Sequence, residues 1–192
     1  MDTLDDVLAD VKARLWNAAN SRKSAMHTPV VGTADGDLRI MVLRDFDKDT
    51  NTLRFHTDAR SPKVAAIEAD GRVGVLFYDK EAKVQIRCRG AGRIERSGPV
   101  ADAAWDAGDN FARRCYLGAG PGEASEEPTS GLPERFEGLE PDDAELIPAR
   151  ANFAVLLVQI EEADWFSLAH TGHRRALFDL AAGEGQGRWI SP

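Results

Sequence analysis

Between positions 39 and 63 the sequence places cations and hydroxyls at a spacing that suits an anion. Arg39-Ile40-Met41-Val42-Leu43-Arg44 is followed by Phe55-His56-Thr57 and then by Arg60-Ser61-Pro62-Lys63. Ser61-Pro62 is a helix-start signal, because serine suits the cap and proline at the first helical position has no amide to leave unpaired. A helix start exposes free N–H groups and the positive end of the helix dipole. With Arg60 and Lys63 beside it, such a start can hold a phosphate. The same residues also read as solvated strand-end charges, with Ser61 as a cap and nothing more. A second group is Gln85 with Arg87 and Arg89, on the polar side of a strand whose other side is Val84, Ile86 and Cys88. Glutamine both donates and accepts, which fits the edge of a heterocycle carrying N–H and C=O groups. A solvent-facing strand surface has the same pattern.

Other chemistry finds less support. His170 and His173 have no Cys, Asp or Glu companions at metal-ligand spacing, so no metal site is expected. Ser167 lacks the Gly-x-Ser-x-Gly elbow of a hydrolase, and Gly90-Ala91-Gly92 lacks the third glycine of a dinucleotide loop. Gly172-His173-Arg174-Arg175 reads as a charged turn or as a meeting point for an anionic ligand. Cys88 and Cys115 form no metal motif and are expected to be reduced.

Positioning these residues requires strands joined by turns. Leu4, Val7, Leu8, Val11 and Leu15 recur at helical spacing, which predicts an amphipathic helix over Leu4–Asn20. Strands are expected over 27–33 and 38–44, about the turn signal Asp35-Gly36, and over 52–57 after the polar run 45–51. A helix starting at Ser61-Pro62 should run to about Glu68, followed by longer strands over 72–78 and 84–94. A helix over 99–115 has Val100, Ala103, Ala104, Ala107 and Phe111 as its inner stripe. Residues 118–148 are acidic, rich in Gly and Pro, and read as a long surface loop with a helical turn near 141–147. Strands over 153–160, 164–169 and 174–180 complete the chain, with Trp189 and Ile190 pinning the tail. Strands that follow one another without helical crossovers point to an antiparallel sheet. The fold class is therefore mainly β with peripheral helices (α+β), and a closed barrel fits it.

The chain has 192 residues, 43% hydrophobic and 29% charged, which fits one globular domain over 1–192 with a sizeable core. Against 24 basic residues stand 32 acidic ones, and the net charge of −8 argues against nucleic-acid binding. A local cation cluster can still hold a small phosphate. The start Met-Asp-Thr-Leu-Asp-Asp has neither the basic residues nor the apolar run of a secretory signal. No apolar stretch approaches the ~20 residues that span a bilayer. A cytoplasmic protein without membrane association is expected.

Taken in order, these segments resemble the pyridoxamine 5'-phosphate oxidase family. The thread runs from Arg39 to Gly92 through Phe55-His56-Thr57, Arg60-Ser61-Pro62-Lys63-Val64, Arg72-Val73-Gly74-Val75-Leu76-Phe77-Tyr78 and Gln85. The resemblance implies an FMN-binding split β-barrel, a homodimer, and flavin mononucleotide (FMN) at the subunit interface. It carries over Arg39, Ile40, Met41, Val42, Leu43, His56 and Thr57 as flavin contacts, and Ser61 and Lys63 as phosphate ligands. Gln85 matches the glutamine that meets the flavin ring. Pro62 stands where the family has an arginine, and Arg60 is the expected substitute for its charge. Arg44 stands where the oxidases place a substrate lysine and is the candidate for steering an anionic substrate. Trp165 and Arg175 are candidates for contacts across the interface. The substrate signatures depart from the oxidases: Ala112-Arg113-Arg114-Cys115-Tyr116-Leu117 and Gly172-His173-Arg174-Arg175-Ala176-Leu177 stand in their place. The resemblance thus implies an FMN-dependent oxidoreductase acting on a small molecule, whose identity the departed substrate signatures leave open. A non-catalytic module that binds or senses flavin or pyridoxal phosphate is the alternative. Haem binding is a third reading, for which His27, His56, His170 and His173 provide no diagnostic motif.

Overall fold

The computed structural model describes residues 2–181 and 185–192. Helix α1 (Leu4–Asn20) has the bounds expected from its spacing and buries Val7, Val11, Leu15 and Ala18. A capping box opens it: the Thr3 hydroxyl accepts from the Asp6 amide, and the Asp6 carboxylate accepts from the Thr3 amide. Its apolar stripe packs with Leu43, Phe55, Phe77, Ile86 and Phe178 in the main core.

Nine strands form one antiparallel sheet: β1 (Val30–Thr33), β2 (Leu38–Ile40), β3 (Leu43–Asp47), β4 (Thr52–Asp58), β5 (Arg72–Asp79), β6 (Val84–Glu95), β7 (Phe153–Ser167), β8 (Arg174–Asp179) and β9 (Gln186–Ile190). The order is β2-β1-β5-β6-β7-β4-β3, and β8 pairs with β7 and β9. The two ends of that path, β2 and β3, are one stretch of chain parted only by Met41 and Val42. The sheet therefore curls back on itself around the main core, as in a split β-barrel.

The expected strand 38–44 is divided and extended to Asp47, and the strand expected from residue 27 starts at Val30. Pro29 accounts for both. Its carbonyl accepts from Met41 N at 3.0 Å, but it has no N–H to return, so the ladder lapses there. The strands expected over 153–160 and 164–169 are one continuous β7. A bulge keeps it continuous: Arg89 pairs with Glu162 and Gly90 with Ile160, leaving Glu161 as the extra residue. The tail forms β9, an unforeseen strand paired to β8.

Helix α2 (Pro62–Ala69) follows the Ser61-Pro62 signal. The long helix expected over 99–115 is broken into α3 (Pro99–Asp106), α4 (Asn110–Arg113) and a 3₁₀ turn, Arg114–Leu117. Gly108 ends the first helix, and the Asp109 carboxylate restarts the chain by accepting from Ala112 N at 2.6 Å. The inner stripe shifts accordingly: Ala101, Ala104 and Trp105 are buried, while Ala103, Ala107 and Phe111 are exposed. This α3 packs on β7 with Phe153, Val155 and Leu157 in a second core, joined by Leu146 of α5 (Asp143–Leu146). Among the described residues no helix is long and apolar enough to cross a membrane.

One ion cluster ties β6, β7 and β8 together. Asp164, 1% exposed, accepts from Arg175 Nε at 3.0 Å and Nη2 at 2.8 Å and also from Arg87. Burial works to raise its pKa, but the hydrogen bond from Arg175 and the charges of Arg87 and Arg175 hold the carboxyl below its ordinary value. Asp164→Ala leaves two adjacent guanidiniums without their counter-ion and is expected to cost about 2 kcal/mol, discounted for the partly exposed arginines. Because the folded pKa lies below the unfolded one, the cluster contributes fully above the ordinary carboxylate range. Its contribution is lost as pH falls through the lowered folded value. Urea denaturation of wild type and variant from neutral to acid pH should show the gap closing at the acid end; a gap independent of pH would reject this account.

Candidate functional site

Strand β4 ends in His56, Thr57 and Asp58, and the chain turns through Ser61 into α2, so Lys63 lies over the end of the strand. Lys63 Nζ donates to Ser61 Oγ at 2.6 Å and to Thr57 Oγ1 at 3.2 Å. Ser61 makes no side-chain cap of its helix, contrary to expectation; its oxygen serves the lysine instead. Among the described residues Lys63 has no salt-bridge partner. Burial first, and the charge of Arg39 next, pull its pKa down, so Lys63 and Arg39 act on one another across the cleft. Both hydroxyls accept from the ammonium; Thr57 Oγ1 donates its own proton to the Asp58 carbonyl at 3.4 Å, and the Ser61 proton is left for an incoming acceptor.

Arg39 reaches the site from β2. Its guanidinium donates to Thr33 Oγ1 at 3.1 Å and to the Val31 carbonyl at 3.3 Å, and pairs with Asp37. Arg39, His56, Thr57, Asp58 and Lys63 line a cleft of about 360 Å³ together with Ile40, Met41, Val42, Arg44, Cys115, Tyr116 and Pro121. Four of the lining residues escaped the sequence reading: Asp58, Cys115, Tyr116 and Pro121. The last three come from the long insertion and its approach, where no local periodicity marked them. Asn152 Nδ2 holds the Tyr116 carbonyl at 2.9 Å, which fixes that wall.

His56 forms the inner end of the cleft. Its ring meets Phe153 edge-on at 5.1 Å, and Phe153 in turn touches Trp105 and Tyr116. Burial, then Arg44 and Arg54, depress the His56 pKa to about 4, so the imidazole is neutral at neutral pH. Its Nε2 is buried without a hydrogen-bond partner. An orphaned ring nitrogen and an ammonium held only by hydroxyls, with Arg39 beside it, are what a polar heterocycle bearing a phosphate would satisfy. The residues present therefore fit FMN.

Two expected contacts are placed elsewhere. Arg60 gives its backbone N–H, Nε and Nη2 to the Asp58 carboxylate and Nη1 to the Gly118 carbonyl at 3.0 Å. Its charge thus answers Asp58, the one carboxylate in the cleft lining, and it does not line the cleft itself. Gln85 pairs with Tyr78 and Phe166 on the outward face of the sheet, away from Lys63. Leu43 is fully buried in the core, so only its backbone is available to a ligand. Of the interface candidates, Arg175 is on the outward face beside Phe166. Trp165 instead points inward, 3% exposed, with Nε1 donating to Asp10 at 3.1 Å. The described residues contain no cluster of ligands that could hold a metal ion.

An antiparallel sheet curled into a barrel, with a cationic cleft on its rim, is the split barrel of the FMN-binding type. Residues 11–95 match the family model described as pyridoxamine 5'-phosphate oxidase, FMN-binding domain. The fold is similar to that of a pyridoxamine 5'-phosphate oxidase-related, FMN binding protein from Nostoc punctiforme, with TM-score 0.74 and 24% identity over 95% of this chain and 96% of that one. It is also similar to PhzG from Burkholderia lata, solved in complex with tetrahydrophenazine-1-carboxylic acid, with TM-score 0.71 and 17% identity over 100% of this chain and 99% of that one. Comparison with curated protein sequences gives no match.

Proposed function

We propose that this chain is an FMN-binding flavoprotein and an oxidoreductase for a small molecule. The observation that carries this reading is the ammonium of Lys63, held by Ser61 and Thr57 beside Arg39 and in a salt bridge with no carboxylate among the described residues. Lys63, Ser61, Thr57 and Arg39 would hold the phosphate, with Arg60 cancelling Asp58 at the rim. The backbone of 40–43 and neutral His56 would meet the ring. When bound, FMN supplies the two-electron redox chemistry, and the protein supplies orientation and charge. Arg44 stands where the cleft continues into a larger recess and would draw an anionic substrate toward the ring.

A homodimer accounts for Gln85. Leu38, Ile40, Leu76 and Tyr78 are exposed apolar residues on the outward face that also carries Gln85 and Arg175. A second copy docked there would cover them and bring its Gln85 and Arg175 toward the cleft. Light scattering should then give twice the 20.9 kDa chain mass, and Tyr78→Glu should shift it toward monomer; a monomer that retains FMN would reject the shared site.

The test of function is reconstitution. Purified protein should quench added FMN fluorescence at one FMN per chain and bind riboflavin far more weakly. Protein that takes up neither would refute the assignment. Reduction of the bound flavin by a nicotinamide donor would support the oxidoreductase; flavin that stays oxidised against every donor would favour the storage or sensing module.

A further inference from the structure

Residues 118–131 form a loop that doubles back at its base and reaches the phosphate end of the cleft. At the base, Ala119 N donates to the Gly131 carbonyl at 2.8 Å, and a Cβ at Gly118 would stand 2.9 Å from the same oxygen. A residue larger than glycine would not allow that approach. Farther along, Pro121 lines the cleft with Arg39, Thr57, Asp58 and Lys63. Gly122, at φ +92°, comes so close to α2 that a Cβ there would lie 3.6 Å from Pro62 Cγ. Residues 121–122 therefore rest on the start of α2, where Pro62 separates Ser61 from Lys63.

Little else attaches this loop. Residues 121–130 are exposed. Glu123 N donates to the Gly120 carbonyl, Gly120 N to the Glu123 carboxylate and Ser125 Oγ to the Glu127 carbonyl, all within the loop. Among the described residues one hydrogen bond joins 118–131 to the barrel: Arg60 Nη1 donates to the Gly118 carbonyl at 3.0 Å. The rest of Arg60 is spent on Asp58, and Glu123 adds its field to that of Asp58 on the guanidinium. The flanks are fixed independently. Asn152 holds the Tyr116 carbonyl, and Arg114 Nη1 holds the carbonyls of Phe136 at 2.9 Å and Leu139 at 3.1 Å.

We infer that Arg60 is a positioning residue that holds 118–131 as a strap over the phosphate end of the cleft, and that the strap governs how fast FMN enters and leaves. This deepens the proposed function and rests on the FMN reading. Arg60 does so without touching the ligand. A cover that must lift for entry and for exit slows both, so it alters rates more than affinity. Cancelling Asp58 is a separate role: a carboxylate in the lining without its counter-ion repels a phosphate and lowers affinity. The two roles therefore have different kinetic signatures.

Stopped-flow fluorescence of FMN binding to the full chain separates them. Arg60→Met should weaken FMN by about tenfold through the uncompensated Asp58. Adding Asp58→Asn should return the affinity to within about threefold of wild type, while association and dissociation both stay at least about fivefold faster. Replacing 121–129 by two glycines, which Arg60 and Asp58 both survive, should accelerate the two rates in the same way. Wild-type rates in either protein overturn the proposal. Hydrogen exchange needs no flavin: peptides spanning 118–131 should exchange faster in the free double variant than in free wild type, with α1 as the control for folding. Equal exchange would show that Arg60 does not tie the strap. Faster exchange over 118–131, in proteins that take up no FMN, would sustain the tie and sink the flavin reading instead.

Discussion

Lys63→Met is expected to weaken FMN binding by about 10²-fold and to leave riboflavin affinity nearly unaltered. The side chain keeps its length and loses its charge, so the difference between the two ligands isolates the phosphate. In the free protein the ammonium is half buried, is repelled by Arg39 and donates to two neutral hydroxyls. A phosphate answers both cations at once. A charge-assisted hydrogen bond contributes about 1.5–3 kcal/mol, which corresponds to one to two powers of ten in affinity. Thr57 and Ser61 also lose the donor that orients them, which places the effect at the upper end. Folding stability should be unchanged or slightly raised, because the variant removes a desolvated charge that forms no salt bridge among the described residues. Fluorescence titration with both flavins and thermal melts of the ligand-free proteins measure this. Equal losses for FMN and riboflavin would mean that Lys63 supports the cleft wall rather than the phosphate.

Gly90→Ala should destabilise the fold by about 4 kcal/mol or more, and the variant is expected to be largely insoluble. A Cβ at Gly90 would collide with the backbone carbonyl of Gln159, and with the Gln159 carbonyl carbon at 2.8 Å. Backbone cannot swing aside as a side-chain end can. The collision falls at the bulge where β7 takes in Glu161, so relief would require shifting the β6–β7 register. Gly74→Ala on β5 is the control: its Cβ meets nothing within 4 Å. That variant should unfold in urea at nearly the wild-type midpoint. Similar midpoints for both variants would show that the β6–β7 crossing relaxes freely.

The stretch from Arg39 to Gly92 therefore contains two kinds of residue. Lys63, Ser61, Thr57 and Arg39 are the proposed phosphate contacts. Gly90, inside the same thread from Arg39 to Gly92, is explained by the close approach of two strands.

What could be read from residues alone was what neighbours along the chain determine. The stripe of α1 is set by 3.6-residue periodicity, the two faces of β6 by strict alternation, and the start of α2 by a proline with no amide to satisfy. The cations and hydroxyls of 39–63 were legible as a candidate phosphate site because they crowd into a short span. Only the tertiary structure decided the rest, because strand pairing and the packing of walls depend on residues far apart in sequence. It joined β2 to β3 to curl the sheet, merged two expected strands into β7, turned Trp165 inward and sent Gln85 to the outer face. It also gathered Arg22, Arg54 and Phe111 around one recess. Charge and burial in such a recess depend on which distant segments meet, a quantity that no local pattern of residues contains.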